Sequence, residues 1–170
     1  MPTTHSILCE SVDTVISGGQ TGVDRAALDV AIIHGCKHGG WCPAGRKAED
    51  GAIPLRYQLT ETESSGYRQR TKRNVLESDG TLILNVGALD GGTLETLRIA
   101  ERASKPVRLV ALDAASWEET IAATRGWLRL HDIRVLNMAG PKESKRPGIH
   151  GQATRFLAGL ITGAQSQDGV

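Results

Sequence analysis

The chain has few of the residues that would fix its class by themselves. Its three cysteines, Cys9, Cys36 and Cys42, form no CxxC pair. Their odd number is a poor basis for a disulfide framework, so reduced thiols are expected. Charge is nearly absent in net terms: Lys and Arg number 20 against 19 Asp and Glu, giving +1. That balance gives no ground for a nucleic-acid partner or a charged membrane surface, although local clusters can still bind anions. No apolar run approaches the ~18 residues of a membrane span, and the first residues lack a basic stretch followed by an apolar core and a cleavage site. A soluble cytoplasmic protein is expected. Aromatic residues are 4% of the chain, too few to mark an interface.

Glycine, at 20 residues, is what the chain does have. Three glycine-rich loops each follow an apolar strand-like run: Ser17-Gly18-Gly19-Gln20-Thr21-Gly22, Asp90-Gly91-Gly92-Thr93, and the stretch from Ala139-Gly140-Pro141 to Pro147-Gly148. A strand that ends in small residues and feeds a helix leaves free amides and the positive end of the helix dipole facing one point, which favours phosphate or another oxyanion. Three such loops predict one shared ligand crevice.

The pattern between the loops alternates strand and helix. Thr14-Val15-Ile16 reads as a strand; Thr21 and Asp24 resemble a capping box, opening a helix that runs through Ile33 and stops at Gly35. Residues 38–66, rich in Gly and Pro, read as a long ordered loop with short strands. Tyr67 to Ser78 reads as helix and Thr81 to Val86 as a buried strand. Thr93 to Ala103 reads as helix, Val107 to Leu112 as strand, and a helix capped by Ser116 runs towards His131. Ile133 to Leu136 is the last strand, and His150 to Ile161 the last helix. Strands joined through helices require crossovers, hence a mostly parallel sheet covered on both faces: an α/β, Rossmann-like three-layer sandwich. One domain over residues 1–162 and a short flexible tail over 163–170 are expected.

The first loop is neither GxGxxG nor GxxxxGK[ST], so no nicotinamide or flavin dinucleotide is expected, and no metal site either. Gln20 and Thr21 add side-chain donors to the backbone of Gly18, Gly19 and Gly22. Arg70 and Arg73, three apart on one helix with Asn74, suit bidentate recognition of an oxyanion; a solvated basic face is the alternative. Gly91, Gly92 and Thr93 contribute the second loop, Ser144 and Lys145 a third-loop lid, Arg46 further positive charge, and Trp41 an apolar wall for a flat ring.

Several of these segments in order, Ile16 to Arg25, His38 to Pro43, Gly45 to Gly51, Arg70 to Val75, Asp90 to Thr93 and Ala139 to Ser144, resemble the molybdenum cofactor carrier protein family. The resemblance covers about Thr14 to Leu160. It implies a Rossmann-like carrier whose cargo is the molybdenum cofactor or molybdate, held without conversion, with donor and acceptor proteins and a homo-oligomeric state. The wider group includes phosphoribohydrolases, whose pattern places a Glu at the position of Thr96; here Glu95 lies one place early, which on a helix turns the side chain by about 100°. A nucleoside monophosphate hydrolase using Glu95 is the alternative, and a sensor of a nucleotide-derived ligand is a further one.

Overall fold

In the computed structural model, residues 11–162 are described; the expected tail at 163–170 and Cys9 lie outside them. Strand β1 (Thr14–Ile16) leads to helix α1 (Val23–Ile33) and strand β2 (Lys37–Gly39). The long segment then holds β3 (Trp41–Cys42), a 3-10 turn (Ala44–Arg46), β4 (Lys47–Ala48), β5 (Gly51–Ala52) and β6 (Thr60–Glu61). Helix α2 (Tyr67–Glu77), β7 (Gly80–Asn85), α3 (Gly91–Arg102), β8 (Val107–Ala111), α4 (Glu118–Leu130), β9 (Val135–Ala139) and α5 (Ile149–Thr162) complete the chain. None of the described helices is long and apolar enough to cross a membrane.

Five strands form a wholly parallel sheet in the order β2-β1-β9-β7-β8. The last strand therefore inserts between β1 and β7, the strand that leads to the second glycine loop. If β9 is counted as strand one, with β1 and β2 next, the order becomes 3-2-1-4-5, a doubly wound arrangement cut open at a different loop. The chain is a circular permutation of that topology.

Every residue of β7 is buried, as a strand covered on both faces requires. Its alternate residues Leu82 and Leu84 join the main core with Val23, Ala27 and Val30 of α1, Leu128 of α4, and Phe156 and Leu160 of α5. Helix α1 packs on α5 and α5 on α4, while α2 packs on α3. Phe156 is fully buried and meets Trp117 edge to face, with ring centroids 5.6 Å apart. A smaller apolar cluster of Leu28, Cys42, Ala48, Ile53 and Tyr57 gives the long 38–66 segment its own anchor, so it is ordered with little regular structure.

Local departures from the sequence reading have physical causes. The last strand begins at Val135 rather than Ile133, because Ile133 caps the sheet's lower end against Gly80, where a Cβ would lie 2.5 Å from its side chain. It continues past Leu136 because Asn137, polar but buried, donates to Thr81 Oγ1 at 3.2 Å on the neighbouring strand. Helix α1 is capped at Gly22, not Thr21. Gly35, at φ 70°, ends that helix with its amide and that of Cys36 returning to Ile32 and Ala31. Cys42 is a buried free thiol, whereas Cys36 is disulfide-bonded, against the expectation of reduced thiols.

Candidate functional site

The three glycine loops leave the carboxyl ends of β1, β7 and β9, which are adjacent in the sheet. The helices that follow β1 and β9 pack on each other, and the helix that follows β7 packs with α2. The winding thus reverses between β9 and β7, the place where doubly wound folds open a crevice. A pocket of about 190 Å³ lies there, drawing Gln20 from the first loop, Gly92 and Thr93 from the second, and Gly140 and Lys145 from the third. Helix α2 closes it with Tyr67, Arg70 and Thr71.

The loops differ in what they leave open. At the start of α1, Val23 N donates to Pro141 O at 3.2 Å, Thr21 N to Gln20 Oε1 at 3.0 Å, and Gln20 N to Asp24 Oδ2 at 3.3 Å. At the start of α5, the amides of Gly148 and His150 donate to the Glu143 carboxylate. Both helix starts thereby have several of their amides engaged within the chain. At α3, Asp90 makes no side-chain cap, and the first amide with a backbone partner is that of Leu94. Gly91, Gly92 and Thr93 therefore present a set of free amides and a positive dipole end, where the other two loops have engaged part of theirs internally.

Two buried side chains face the same space with unused donors. Gln20 is 8% exposed; its Oε1 accepts from Thr21 N and from Glu49 N at 2.9 Å, and its Nε2 has no partner among the described residues. Thr93 is 6% exposed and its hydroxyl is likewise unpartnered there. Arg70 supplies the formal charge. Its guanidinium lies against Gly18, where a Cβ would come within 2.0 Å of Nη1, and its Nε is buried without a hydrogen-bond partner. Nη1 faces Asp24 Oδ2 at 3.3 Å, a long contact for an ion pair. Burial pushes the Asp24 carboxyl up from its ordinary value, with Arg70 opposing that rise.

A carboxylate holds the pocket's rim together. Glu49 accepts from the Thr21 hydroxyl and from the Ser144 hydroxyl and amide, and pairs with Lys142 Nζ at 3.2 Å. Burial acts to raise its pKa, yet the hydrogen bonds from Ser144 and Thr21 outweigh it and hold the group down at about 2. Thr21 also accepts from Glu143 N at 3.1 Å. Gly22, at φ 80°, leaves no room for a Cβ, which would meet Pro141 O at 2.3 Å. The first loop, the third loop and the long segment are one assembly.

Of the residues singled out in the sequence, Gln20, Arg70, Gly92, Thr93 and Lys145 line the pocket. Gly18 packs under Arg70, and Gly19, at φ 77°, faces Ile53 and Leu59. Gly91 lies under Lys145, whose Nζ pairs with Asp90 at 2.8 Å. Thr21 and Ser144 belong to the Glu49 cluster. The rest are engaged away from the pocket. Arg46 donates to the carbonyls of Ile53, Pro54, Tyr57 and Leu59 and so folds the long segment around itself. Asn74 exchanges two hydrogen bonds with the Trp41 backbone, at 2.8 and 3.0 Å. Trp41 donates from Nε1 to Glu77, and Arg73 stacks over its ring at 4.3 Å while pairing with Glu63 at 3.2 Å. Arg70 and Arg73 are only about 60° apart around α2, but that angle separates the pocket from the outer edge of the helix.

In sequence Asp24 reads as a cap, Lys142 as one of the third-loop lid cations, and neither Thr96 nor Glu49 as a ligand-binding residue, whereas Asp24, Thr96 and Lys142 line the pocket. The signal for Thr96 was present: it occupies the helical position that faces the crevice. Glu95, one residue earlier, turns outward and pairs with Arg68 at 3.5 Å.

Residues 15–161 match the family described as "Circularly permutated YpsA SLOG family", in keeping with the displaced β9. The fold is similar to the crystal structure of a protein from Syntrophus aciditrophicus named "Putative molybdenum carrier protein". The two are 46% identical, over 88% of this chain and 95% of that one, with a TM-score of 0.86. No curated protein matches. The resemblance to molybdenum carriers seen in the motifs and the Rossmann-like α/β architecture are both borne out. The chain belongs to the circularly permutated YpsA SLOG family.

Proposed function

We propose that this protein is a carrier that holds a molybdenum-related anion, either molybdate or the phosphorylated end of the molybdenum cofactor, in the pocket between α2 and the start of α3. The observation that carries the reading is the convergence of unused donors on one space. The open amides of Gly91 to Thr93, the Gln20 amide and the Thr93 hydroxyl surround it, and Arg70 supplies the charge. Donors fixed before the ligand arrives cost little reorganisation, and the helix end and guanidinium both favour negative charge.

The pocket's volume favours the anionic group over a whole ring compound. Ligand pockets for drug-sized molecules run to roughly 300–1,000 Å³, and this one is about 190 Å³. An oxyanion or phosphate group fits inside, and the body of a larger cargo would extend past the rim formed by Lys142 and Lys145. In this reading the protein acts in the cytoplasm as a homo-oligomer, taking the cargo from a donor protein and passing it to an acceptor.

Binding without conversion is favoured over nucleoside monophosphate hydrolysis by the placement of carboxylates. Glu95, which the hydrolase reading needs in the crevice, is paired outside it with Arg68. Anaerobic titration with molybdenum cofactor, with a panel of nucleoside monophosphates as competitors, tests the proposal. Saturable binding weakened by Arg70→Ala and indifferent to nucleotides is expected. Release of free base from a nucleoside monophosphate would overturn it.

A further inference from the structure

The pocket contains a carboxylate that an anion-binding site would ordinarily avoid. Asp24 lines the pocket and is 3% exposed, yet no cation neutralises it closely: Arg70 Nη1 stands 3.3 Å away and the Gln20 amide donates at 3.3 Å, with the Ser17 hydroxyl also acting on the carboxylate. Both are long for contacts to an ionised carboxylate, which shorten to about 2.7–2.9 Å when well formed. Arg70 also keeps Nε without a partner, so its charge is only half committed to Asp24.

An arriving oxyanion would place a second negative charge on the same guanidinium. Two anionic groups sharing one buried site cannot both stay ionised at neutral pH; one of them binds a proton. Resting on the carrier reading above, we propose that Asp24 is a specificity-determining residue that shares a proton with the bound oxyanion, so that the pocket takes up a dianion only together with a proton. The proton lies between an Asp24 oxygen and an oxygen of the anion, converting a repulsive contact into a hydrogen bond. Asp24 and the anion then carry two negative charges between them in place of three, and Arg70 offsets one of the two.

The other charged groups around Asp24 do not take its place. Arg25, on the same helix, is paired with Asp50 and donates from Nε to Gly19 O. Lys142 is paired with Glu49 and Lys145 with Asp90 on the far side of the pocket. On the α5 side, His150 is held by Asp29 at 2.9 Å; on β2, His38 accepts from Gln58 N. The Ser17 hydroxyl donates to Met138 O and favours the ionised form of Asp24 less than burial disfavours it. Burial already disfavours the ionised form of Asp24, so the group is placed to accept the proton.

The test is isothermal titration calorimetry of the whole protein with molybdate and, separately, with sulfate, in buffers of widely different ionisation enthalpy. The proposal expects the observed heat to vary with the buffer in the amount of about one proton taken up per anion, and the affinity to fall about tenfold for each unit rise in pH. Asp24→Asn should bind with no net proton uptake and a flat pH dependence. Binding of either anion without proton uptake by the unmodified protein overturns the proposal while leaving the pocket reading intact. An Asp24→Asn variant that binds yet still takes up a proton also overturns it. No binding of either anion overturns both. The buffer comparison on the unmodified protein decides the matter even if the variant does not fold.

Discussion

Replacing Glu49 with Gln tests the claim that one carboxylate fastens the first loop, the third loop and the long segment around the pocket. Glutamine keeps an oxygen that can accept from the Ser144 amide but removes the charge that draws in Lys142 and strengthens the hydroxyl contacts. The carboxyl is held at about 2 against an ordinary 4.5, a difference that would be worth ~3 kcal/mol if it were realised in full. Lys142 is 46% exposed and Glu49 18%, so solvent screening reduces the contribution to about 1 kcal/mol. The sign is that of a depressed acid: the stability is fully present above pH 4.5 and is lost as the pH falls from there towards about 2. Urea unfolding of both proteins, followed from pH 7 down to pH 3, checks this. At neutral pH the variant's midpoint should lie lower by about half a molar, and the gap should narrow steadily below pH 4.5. A gap that stays constant across the range, or that widens in acid, would refute the reasoning.

Other outcomes follow from single contacts. Gly18→Ala places a methyl group where Nη1 of Arg70 now lies, 2.0 Å from the new Cβ; oxyanion binding by calorimetry should weaken about tenfold or more as the guanidinium is displaced, since a well-placed charged hydrogen bond is worth about 1.5–3 kcal/mol. Gly22→Ala combines a positive φ of 80° with a contact of 2.3 Å to Pro141 O, and should lower stability in chemical denaturation by about 2–4 kcal/mol. Arg46→Ala leaves the carbonyls of Ile53, Pro54 and Tyr57 without their donor. A loss of about 2–3 kcal/mol is expected, with faster proteolysis near residues 53–59 as a second readout.

The alternation of strands and helices was legible because burial on both faces writes a continuous apolar run such as Thr81 to Leu84, and a half-buried helix writes a periodic one. The position of β9 in the sheet was not. Strand order depends on which edges pair, and an apolar strand reads the same at the centre or next to the centre of a parallel sheet. The crevice was legible for the same reason as the loops, since glycine before a helix marks backbone that must turn sharply. What each loop does with its amides was not legible: Glu143 caps α5 and Asp24 turns back to Gln20, and both look in sequence like ordinary charged loop or helix-start residues. The cations were equally ambiguous. Arg46 and Arg70 both lie near glycines, but only the fold shows that Arg46 binds four carbonyls of its own segment and that Arg70 keeps an unused Nε. Thr96 and Glu95 could be separated in advance, because a one-residue step on a helix is a fixed rotation.

The central claim is that a single oxyanion is held between the start of α3 and Arg70. Crystals of the protein grown with molybdate, with anomalous diffraction recorded at the molybdenum edge, test it most directly. The account predicts one strong anomalous peak within hydrogen-bonding distance of the Gly92 and Thr93 amides and the Arg70 guanidinium, absent in Arg70→Ala crystals. A peak elsewhere on the molecule with the pocket left empty would contradict it.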